Sequence, residues 1–188
     1  RGPGSTLEFQ PRPIPVQRGL ASLAIRDFRL FWLGQAVSLI GVWMQSIAQA
    51  WLVLELSGSG FVLGVITALQ FLPVLVLSIF GGLLADHLPR RQMLIATQIS
   101  AMALAFLLAA LTITGIVQVI HVAVLALLLG VVNAVDMPTR QAFIVDLVPR
   151  DALPNAIALN SVMFNGSRLL GPAIGGLVIG AFGVGVGF

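Results

Sequence analysis

Residues 61–91, FVLGVITALQFLPVLVLSIFGGLLADHLPRR, form a long uncharged apolar run that ends in a short charged segment. A helix that crosses a bilayer needs roughly 20 consecutive, mostly apolar residues, and residues 61–85 meet this requirement. The Asp, His and Arg side chains between 86 and 91 belong in water or among lipid headgroups. The run therefore predicts a membrane-spanning helix followed by a polar loop.

The same pattern recurs on both sides of this run. Apolar residues make up 58% of the chain and charged residues only 9%, whereas a soluble domain carries about 25% charged residues. Lipid must therefore cover the surface that charge normally covers. We expect an all-α, polytopic membrane protein with five spans, at about 30–56, 61–85, 93–113, 117–143 and 155–180.

The two ends of the chain differ from the spans. Residues 1–27 begin with Arg1, are rich in Gly and Pro, and lack the apolar core of a signal peptide. We predict a disordered cytoplasmic leader over residues 1–27 and a transmembrane domain over residues 28–188. The chain stops at AFGVGVGF without a polar tail, so both ends favour a fragment of a longer protein.

Arginine placement predicts the orientation of the spans. All ten basic residues are arginines, and nine lie in the leader, between spans two and three, or near the connection of spans four and five. The turns after spans one and three have none. Because cytoplasmic loops are enriched in basic residues, we expect a cytoplasmic N-terminus in the cell (inner) membrane. This placement also accounts for the net charge of +3 without nucleic-acid binding.

The composition argues against an enzyme. The chain has no Cys, which excludes disulfides and thiol chemistry, and its two histidines, His87 and His121, are far apart in sequence. No phosphate-binding loop for a nucleotide is present. We therefore expect no catalytic residue, no metal site and no cofactor.

Polar residues inside span one need an explanation, because lipid-facing positions need none. At about 100° per residue they fall on one helix face; they are Gln35, Ser38, Gln45, Ser46 and Gln49. They could form hydrogen bonds between helices or line a polar cavity. Three glutamines exceed what helix packing needs, so we favour the cavity, with Gln45 and Gln49 on the pathway.

Span four carries Asn133, Asp136 and Arg140 on one face. Asp136 and Arg140 are four residues apart with the acid first, the favourable order for an ion pair within a helix. Pro138 lies between them and removes a backbone donor. A structural pair and a substrate or proton pathway both remain open. Asp136 is the acidic residue deepest in any span, and is therefore the candidate proton carrier.

Span five carries Arg168 near its middle, on the same face as Ser161 and Asn165. A charge at that depth costs at least roughly 2.5–3.5 kcal/mol. By antiparallel register, Asp136 and Asn133 are the nearest candidate partners, and the side chain is expected to point into the bundle. A buried structural pair is one alternative; we favour a role in substrate binding or coupling, shared with Asn165.

The loop after span two, with the end of the span, reads GLLADHLPRR and resembles the motif between helices two and three of the major facilitator superfamily. Gly82, Asp86, Arg90 and Arg91 match, while His87 and Pro89 depart from the motif. The resemblance implies that these four residues form a cytoplasmic gate. In span five, the glycine and proline pattern resembles the helix-five motif of antiporters in that superfamily, and implies close helix packing at Gly171, Pro172, Gly175 and Gly176.

Other segments are similar to the exporter branch that includes macrolide-efflux and enterobactin-export proteins. They are FRLFWLGQ, WMQSIAQAWLVLELSGS, NAVDMPTRQAF and VPRDALPNAIALNSVMFNGSR, in this order. The resemblance implies a twelve-helix antiporter of which this chain supplies helices one to five of the N-terminal six-helix half. It also implies proton-coupled efflux of a small amphipathic compound, drug or siderophore-like, by alternating access, with the missing C-terminal half as partner. The alternative is a membrane scaffold or sensor that does not transport.

The arginine asymmetry yields a topology prediction. In a cysteine-free full-length protein, single cysteines at Ser59 and Thr114 should react with a membrane-impermeant maleimide added outside intact cells. A cysteine at His87 should react only after the cells are permeabilised. Labelling at His87 in intact cells would contradict the orientation.

Overall fold

The computed structural model describes residues 21–188 and contains five long helices in that range. Each helix is long and apolar enough to cross a membrane, so the five predicted spans are confirmed. Their bounds lie within a few residues of the predicted ones. The helices are α1 (Arg26–Ser57), α2 (Gly60–His87), α3 (Arg90–Ile113), α4 (Val119–Leu147) and α5 (Leu153–Phe182).

The chain enters α1 through a folded turn. Residues 1–20 of the predicted leader lie outside the described residues. Ala21–Ala24 form a 3-10 turn, in which the Ser22 backbone N–H donates to Asn155 Oδ1 at 3.0 Å and its hydroxyl donates to the Ala152 carbonyl at 3.0 Å. Residues 21–27 thus belong to the bundle, and the predicted end of the leader at residue 27 is too late.

Local sequence explains where helices end. Gly58 has φ +62°, a left-handed conformation that costs glycine little, and its N–H donates to the Leu54 carbonyl at 2.8 Å. This caps α1 and lets α2 begin at Gly60. Between α2 and α3 only Leu88 and Pro89 intervene. Pro89 explains this boundary, because proline cannot continue α2 but is well suited to the start of α3.

The helices pack in pairs that are not neighbours in sequence. α2 packs along α4, α1 packs along α5, and α3 packs mainly against α4. Buried apolar clusters lie toward both ends of the bundle. One cluster contains Leu52, Ile66, Leu108 and Val122. The other joins the start of α1 to the end of α4 and the start of α5.

The α2–α4 contact depends on glycines that face proline-containing turns. A Cβ at Gly81 would clash with the backbone carbonyl of Ala134, the carbonyl that loses its helical donor because Pro138 has no N–H. A Cβ at Gly130 would likewise lie 3.0 Å from the ring of Pro73. Each helix thus supplies one glycine and one proline turn to the same interface.

The predicted packing motif of α5 comprises Gly171, Pro172, Gly175 and Gly176. Two of these residues, Gly171 and Gly175, pack closely on α1. A Cβ at Gly171 would clash with the Cβ of Trp43, and one at Gly175 would lie 3.2 Å from the Cα of Met44. Gly176 faces open space in the described structure. Small residues here let two backbones approach, as in other membrane helix pairs.

Two of the glycines of α2, Gly81 and Gly64, allow a matched test of this packing. Gly81→Ala should destabilise the full-length protein by about 1–3 kcal/mol, because the new methyl group overpacks a backbone contact. Gly64→Ala, on the same helix but with open space around it, should be neutral or slightly stabilising. Thermal unfolding in detergent, followed by size-exclusion chromatography, measures both. Equal stability of the two variants would contradict the close contact.

Candidate functional site

A charged cluster joins three helices at the end of the bundle that carries the α2–α3 loop. The Arg90 Nη1 donates to both oxygens of Asp146 at 2.8 Å, and Nη2 lies 3.7 Å from Asp86 Oδ1. Arg90 also donates to the carbonyls of Ala85 at 3.1 Å and Ala142 at 3.3 Å. One guanidinium at the start of α3 thereby ties together the ends of α2 and α4.

Only part of the predicted gate motif participates in this cluster. Asp86 keeps 67% of its side chain exposed, so Asp146 is the stronger partner of Arg90. Arg91 is exposed and lines a groove beside α1 instead. A Cβ at Gly82 would meet nothing within 4 Å; its neighbour Gly81 makes the close contact. Sequence reasoning missed Asp146 because it treated that residue as part of a solvated loop.

A second polar cluster is buried between α3 and α4. The predicted ion pair is present: Arg140 Nε donates to Asp136 Oδ2 at 3.0 Å, and its Nη2 donates to the same oxygen. The Thr97 hydroxyl donates to Asp136 Oδ1 at 2.6 Å. Asp136 and Thr97 are 7% and 8% exposed. Both carboxylate oxygens therefore have hydrogen-bond donors within this half of the bundle.

The polar face of α1 points toward α2, α3 and α4. Gln49 donates to Gln70 Oε1 on α2 at 3.2 Å, and the Ser38 hydroxyl donates to Gln98 Oε1 on α3 at 3.3 Å. Gln35 is buried, and its Nε2 has no partner among the described residues. The polar side chains of α1 thus combine both predicted roles, since some bridge helices and others face open volume.

Two cavities adjoin this face. A groove of about 860 Å³ lies between α1 and α3 and reaches Arg140 on α4. A smaller cavity of about 90 Å³ has room for a few water molecules. Its polar lining includes Gln45, Ser46, Gln49, Gln70, Thr97, Gln98, Asn133, Asp136 and Arg140. The predicted pathway residues of spans one and four therefore share one interior site.

Arg168 on α5 lies apart from that interior site, so the expected partners Asp136 and Asn133 are wrong. Its guanidinium carbon lies 5.6 Å from the ring centroid of Trp43 on α1, and the residue is exposed rather than buried within the described bundle. The expectation assumed that α5 faces α4 in register. Because α5 packs on α1 instead, the polar face of α5 is separated from α4.

The other polar residues of α5 are satisfied locally. The Ser161 hydroxyl donates to the Ile157 carbonyl at 3.0 Å, and Asn165 Nδ2 donates to the Ser161 carbonyl at 2.8 Å. Phe164 packs edge-on against Trp43, with ring centroids 5.9 Å apart. Arg168 and this aromatic pair form a surface that we call the α5 cation face.

The stacking does not fully offset the cost of the Arg168 charge. A cation over an indole gains about 0.5–2 kcal/mol, whereas an arginine at mid-span costs roughly 2.5–3.5 kcal/mol or more. Trp43 Nε1 is itself buried with no hydrogen-bond acceptor among residues 21–188. On the α5 cation face, both the Arg168 guanidinium and the Trp43 Nε1–H therefore lack a hydrogen-bond acceptor among the described residues.

The chemistry of these groups favours binding over catalysis. Within the described range 21–188, no three His, Cys, Asp or Glu side chains come together as a metal site. The α1–α3–α4 interior instead offers amides, a hydroxyl and an ion pair beside accessible volume. Such an arrangement can bind a polar group or water and can rearrange its hydrogen bonds.

Comparison with known sequences agrees with this description. The profile of the family described as transmembrane secretion effector matches residues 17–188. No solved structure gives a significant match.

Three curated relatives are transporters from bacteria. The chain is 28% identical over 82% of its length to the staphyloferrin A transporter of Staphylococcus aureus, covering 39% of that protein. It is 32% identical over 73% of its length to the multidrug efflux pump Tap of Mycolicibacterium fortuitum, covering 35%. It is 26% identical over 80% of its length to macrolide efflux protein A of Streptococcus pyogenes, covering 37%.

The chain thus spans less than two-fifths of the length of these relatives. The relatives are transporters and not enzymes, so the expectation of a non-enzymatic membrane protein is confirmed. With its five membrane-length helices and a profile match over most of its length, the chain belongs to the transmembrane secretion effector family of the major facilitator superfamily.

Proposed function

We propose that the complete protein is a proton-coupled exporter of a small amphipathic compound, and that this chain supplies one wall of its transport pathway. The observation that carries this proposal is the buried Thr97–Asp136–Arg140 cluster beside a polar cavity. Ionisable residues inside membrane spans are costly and mark substrate or proton pathways. The efflux proteins among the relatives support the direction of transport.

We assign proton coupling to Asp136 because of the way its carboxylate is held. In the described arrangement its two oxygens accept hydrogen bonds from Thr97 and Arg140, so both oxygens already have donors. Uptake of a proton requires Arg140 to turn away from the carboxylate. The adjacent cavity, with Gln45, Gln98 and Asn133 in its lining, offers alternative partners for the released guanidinium and a path for water.

Alternating access requires a gate that closes and reopens. We assign that role to the Asp86–Arg90–Asp146 cluster, with Arg91 at its edge and Gly82 in the preceding turn of α2. Arg90 fixes the ends of α2 and α4 relative to α3, and the exposed Asp86 is available to a partner in the remainder of the polypeptide. Superfamily transporters move one half against the other around a central site.

The proposal includes the orientation of the helices and the membrane in which they lie. We place the N-terminus and the α2–α3 loop in the cytoplasm, in the inner membrane, because the arginines concentrate on that side. Lipid surrounds the exposed apolar side chains, and the C-terminal half covers the remaining faces. Antiport of protons against substrate fits a carboxylate that must change partners during the cycle.

A second candidate function is a scaffold or sensor that has lost transport. An intact buried ion pair with a third donor argues against it, because such a cluster is costly to retain without use. The two functions differ in gradient-driven flux, which only the exporter shows.

Asp136→Asn tests the coupling. In proteoliposomes containing the full-length protein, an imposed pH gradient should drive transport of an amphipathic dye such as ethidium by the parent. Asp136→Asn should lose this gradient dependence while exchange without a gradient persists. Thr97→Val, which removes one hydrogen bond to the carboxylate, should weaken the gradient response by about tenfold or less.

The exposed Asp151, on the α4–α5 connection, provides a control for loss of a negative charge. Asp151→Asn should behave like the parent. If Asp136→Asn retains the parent's pH response, Asp136 does not carry the proton; if the parent shows no flux for a broad panel of dyes and antibiotics, the scaffold is favoured.

The gate is tested by the two carboxylates that face Arg90. Asp86→Asn should impair transport without preventing membrane insertion or lowering thermal stability, because its contact with Arg90 is long and exposed. Asp146→Asn should impair transport and also lower stability by up to about 1 kcal/mol, since it removes the charge and one of the two oxygens that accept from Arg90 Nη1. Normal transport by Asp86→Asn would remove this residue from the gate.

A further inference from the structure

Arg168 is the membrane-embedded arginine whose charge the described residues leave unneutralised. Arg90 and Arg140 each contact a carboxylate, at Asp146 and Asp136 respectively. Within residues 21–188 Arg168 forms no ion pair with an acidic side chain, and its guanidinium lies over the indole of Trp43. The charge of Arg168 must therefore be met by a group outside the described residues.

The cation–π contact with Trp43 leaves the N–H donors of Arg168 without an acceptor among the described residues. When a guanidinium packs against an aromatic ring through its flat face, its N–H groups stay in the guanidinium plane and can bind a carboxylate with two parallel hydrogen bonds. Trp43 is fixed from beneath by Gly171 and from the side by Phe164. The cation is thus held by a supported platform, which lowers the entropy lost on binding an anion.

The depth of Arg168 decides between possible anions. The residue lies near the middle of α5 (Leu153–Phe182), about 20 Å along the axis from either end at 1.5 Å per residue. An arginine side chain cannot cover that distance, so lipid phosphates are out of reach. The remaining sources of an anion are an acidic side chain elsewhere in the complete polypeptide and a compound that enters the pathway.

We propose that Arg168 binds an anionic group, of the carboxylate type, on the transported compound, and that Trp43 and Phe164 form an aromatic wall for an apolar part beside it. This assignment rests on the proposed transport function. It makes the α5 cation face a determinant of substrate charge, separate from the Asp136 cluster that serves coupling. Charge complementarity carries the assignment, since the α5 cation face presents an arginine and no acid.

A matched pair of probes tests the assignment in the purified full-length protein. Dansylglycine and dansylglycinamide share one fluorophore and differ in their carboxylate, and tryptophan-to-dansyl energy transfer reports their binding. The parent should bind the acid about tenfold or more tightly than the amide. Arg168→Gln should remove the preference and Arg168→Lys should retain part of it, because lysine keeps the charge but not the two-pronged geometry.

Arg150, an exposed arginine in the α4–α5 connection, supplies the control for net charge. Arg150→Gln should keep the parent's preference for the acid. Two results would overturn the proposal: equal binding of acid and amide by the parent, or an unchanged preference in Arg168→Gln. The first result is the one expected if an acidic side chain of the same polypeptide neutralises Arg168.

The transport assay separates this proposal from the function on which it rests. If the parent carries out gradient-driven flux of the neutral amide or of ethidium but shows no preference for the acid, the exporter stands and the anion site fails. If the parent binds the acid through Arg168 but shows no flux of either probe, the site stands as a ligand site and the exporter fails.

Discussion

The cost of charge inside a bilayer is the constraint on which this structure depends. A charged side chain at mid-span costs roughly 2.5–3.5 kcal/mol or more, so each such group needs a partner at the same depth. Asp136 meets the constraint with Arg140 one turn away on the same helix and with Thr97 on α3. The Thr97 hydrogen bond to Asp136 links α3 to α4 at this depth, while the Arg140 pair lies within α4 itself.

Backbone groups obey a related constraint, since a carbonyl in lipid must also be satisfied or covered. Prolines in α2 and α4 remove donors from their own helices, and the opposing helix places a glycine against each proline-containing turn. Gly81 lies against the Ala134 carbonyl that Pro138 leaves without its helical donor, and Gly130 lies against the Pro73 ring. The α2–α4 interface is therefore specified by backbone shape more than by side-chain chemistry, and it fixes where the polar face of α4 points.

Hydropathy and residue spacing are local properties, and they predicted the local features well. The five spans follow from apolar length, and the Asp136–Arg140 pair follows from helical spacing, because both partners lie on one element. The features that were missed depend on which helix packs on which. Thr97 and Asp146 became partners only through the contacts of α3 with α4, and Arg168 was assigned to Asp136 by assuming that consecutive helices face each other. Hydropathy carries no information about that pairing.

Because α1 packs on α5 and also lines the interior cavity, it lies between two sites that the sequence analysis had treated as one pathway. One face of α1 contributes Gln45 and Gln49 to the interior cavity beside Asp136, and another carries Trp43 beneath Arg168. These positions lie within about two turns of each other on a single rigid helix. A rotation or tilt of α1 would therefore act on both sites together, whereas α4 and α5 contact each other mainly where the end of α4 meets the start of α5. If the complete protein works by alternating access as proposed, α1 is the element through which the carboxylate of α4 and the cation of α5 can be linked within this half. It lines the cavity beside Asp136, and it packs closely against α5 where Gly171 meets Trp43.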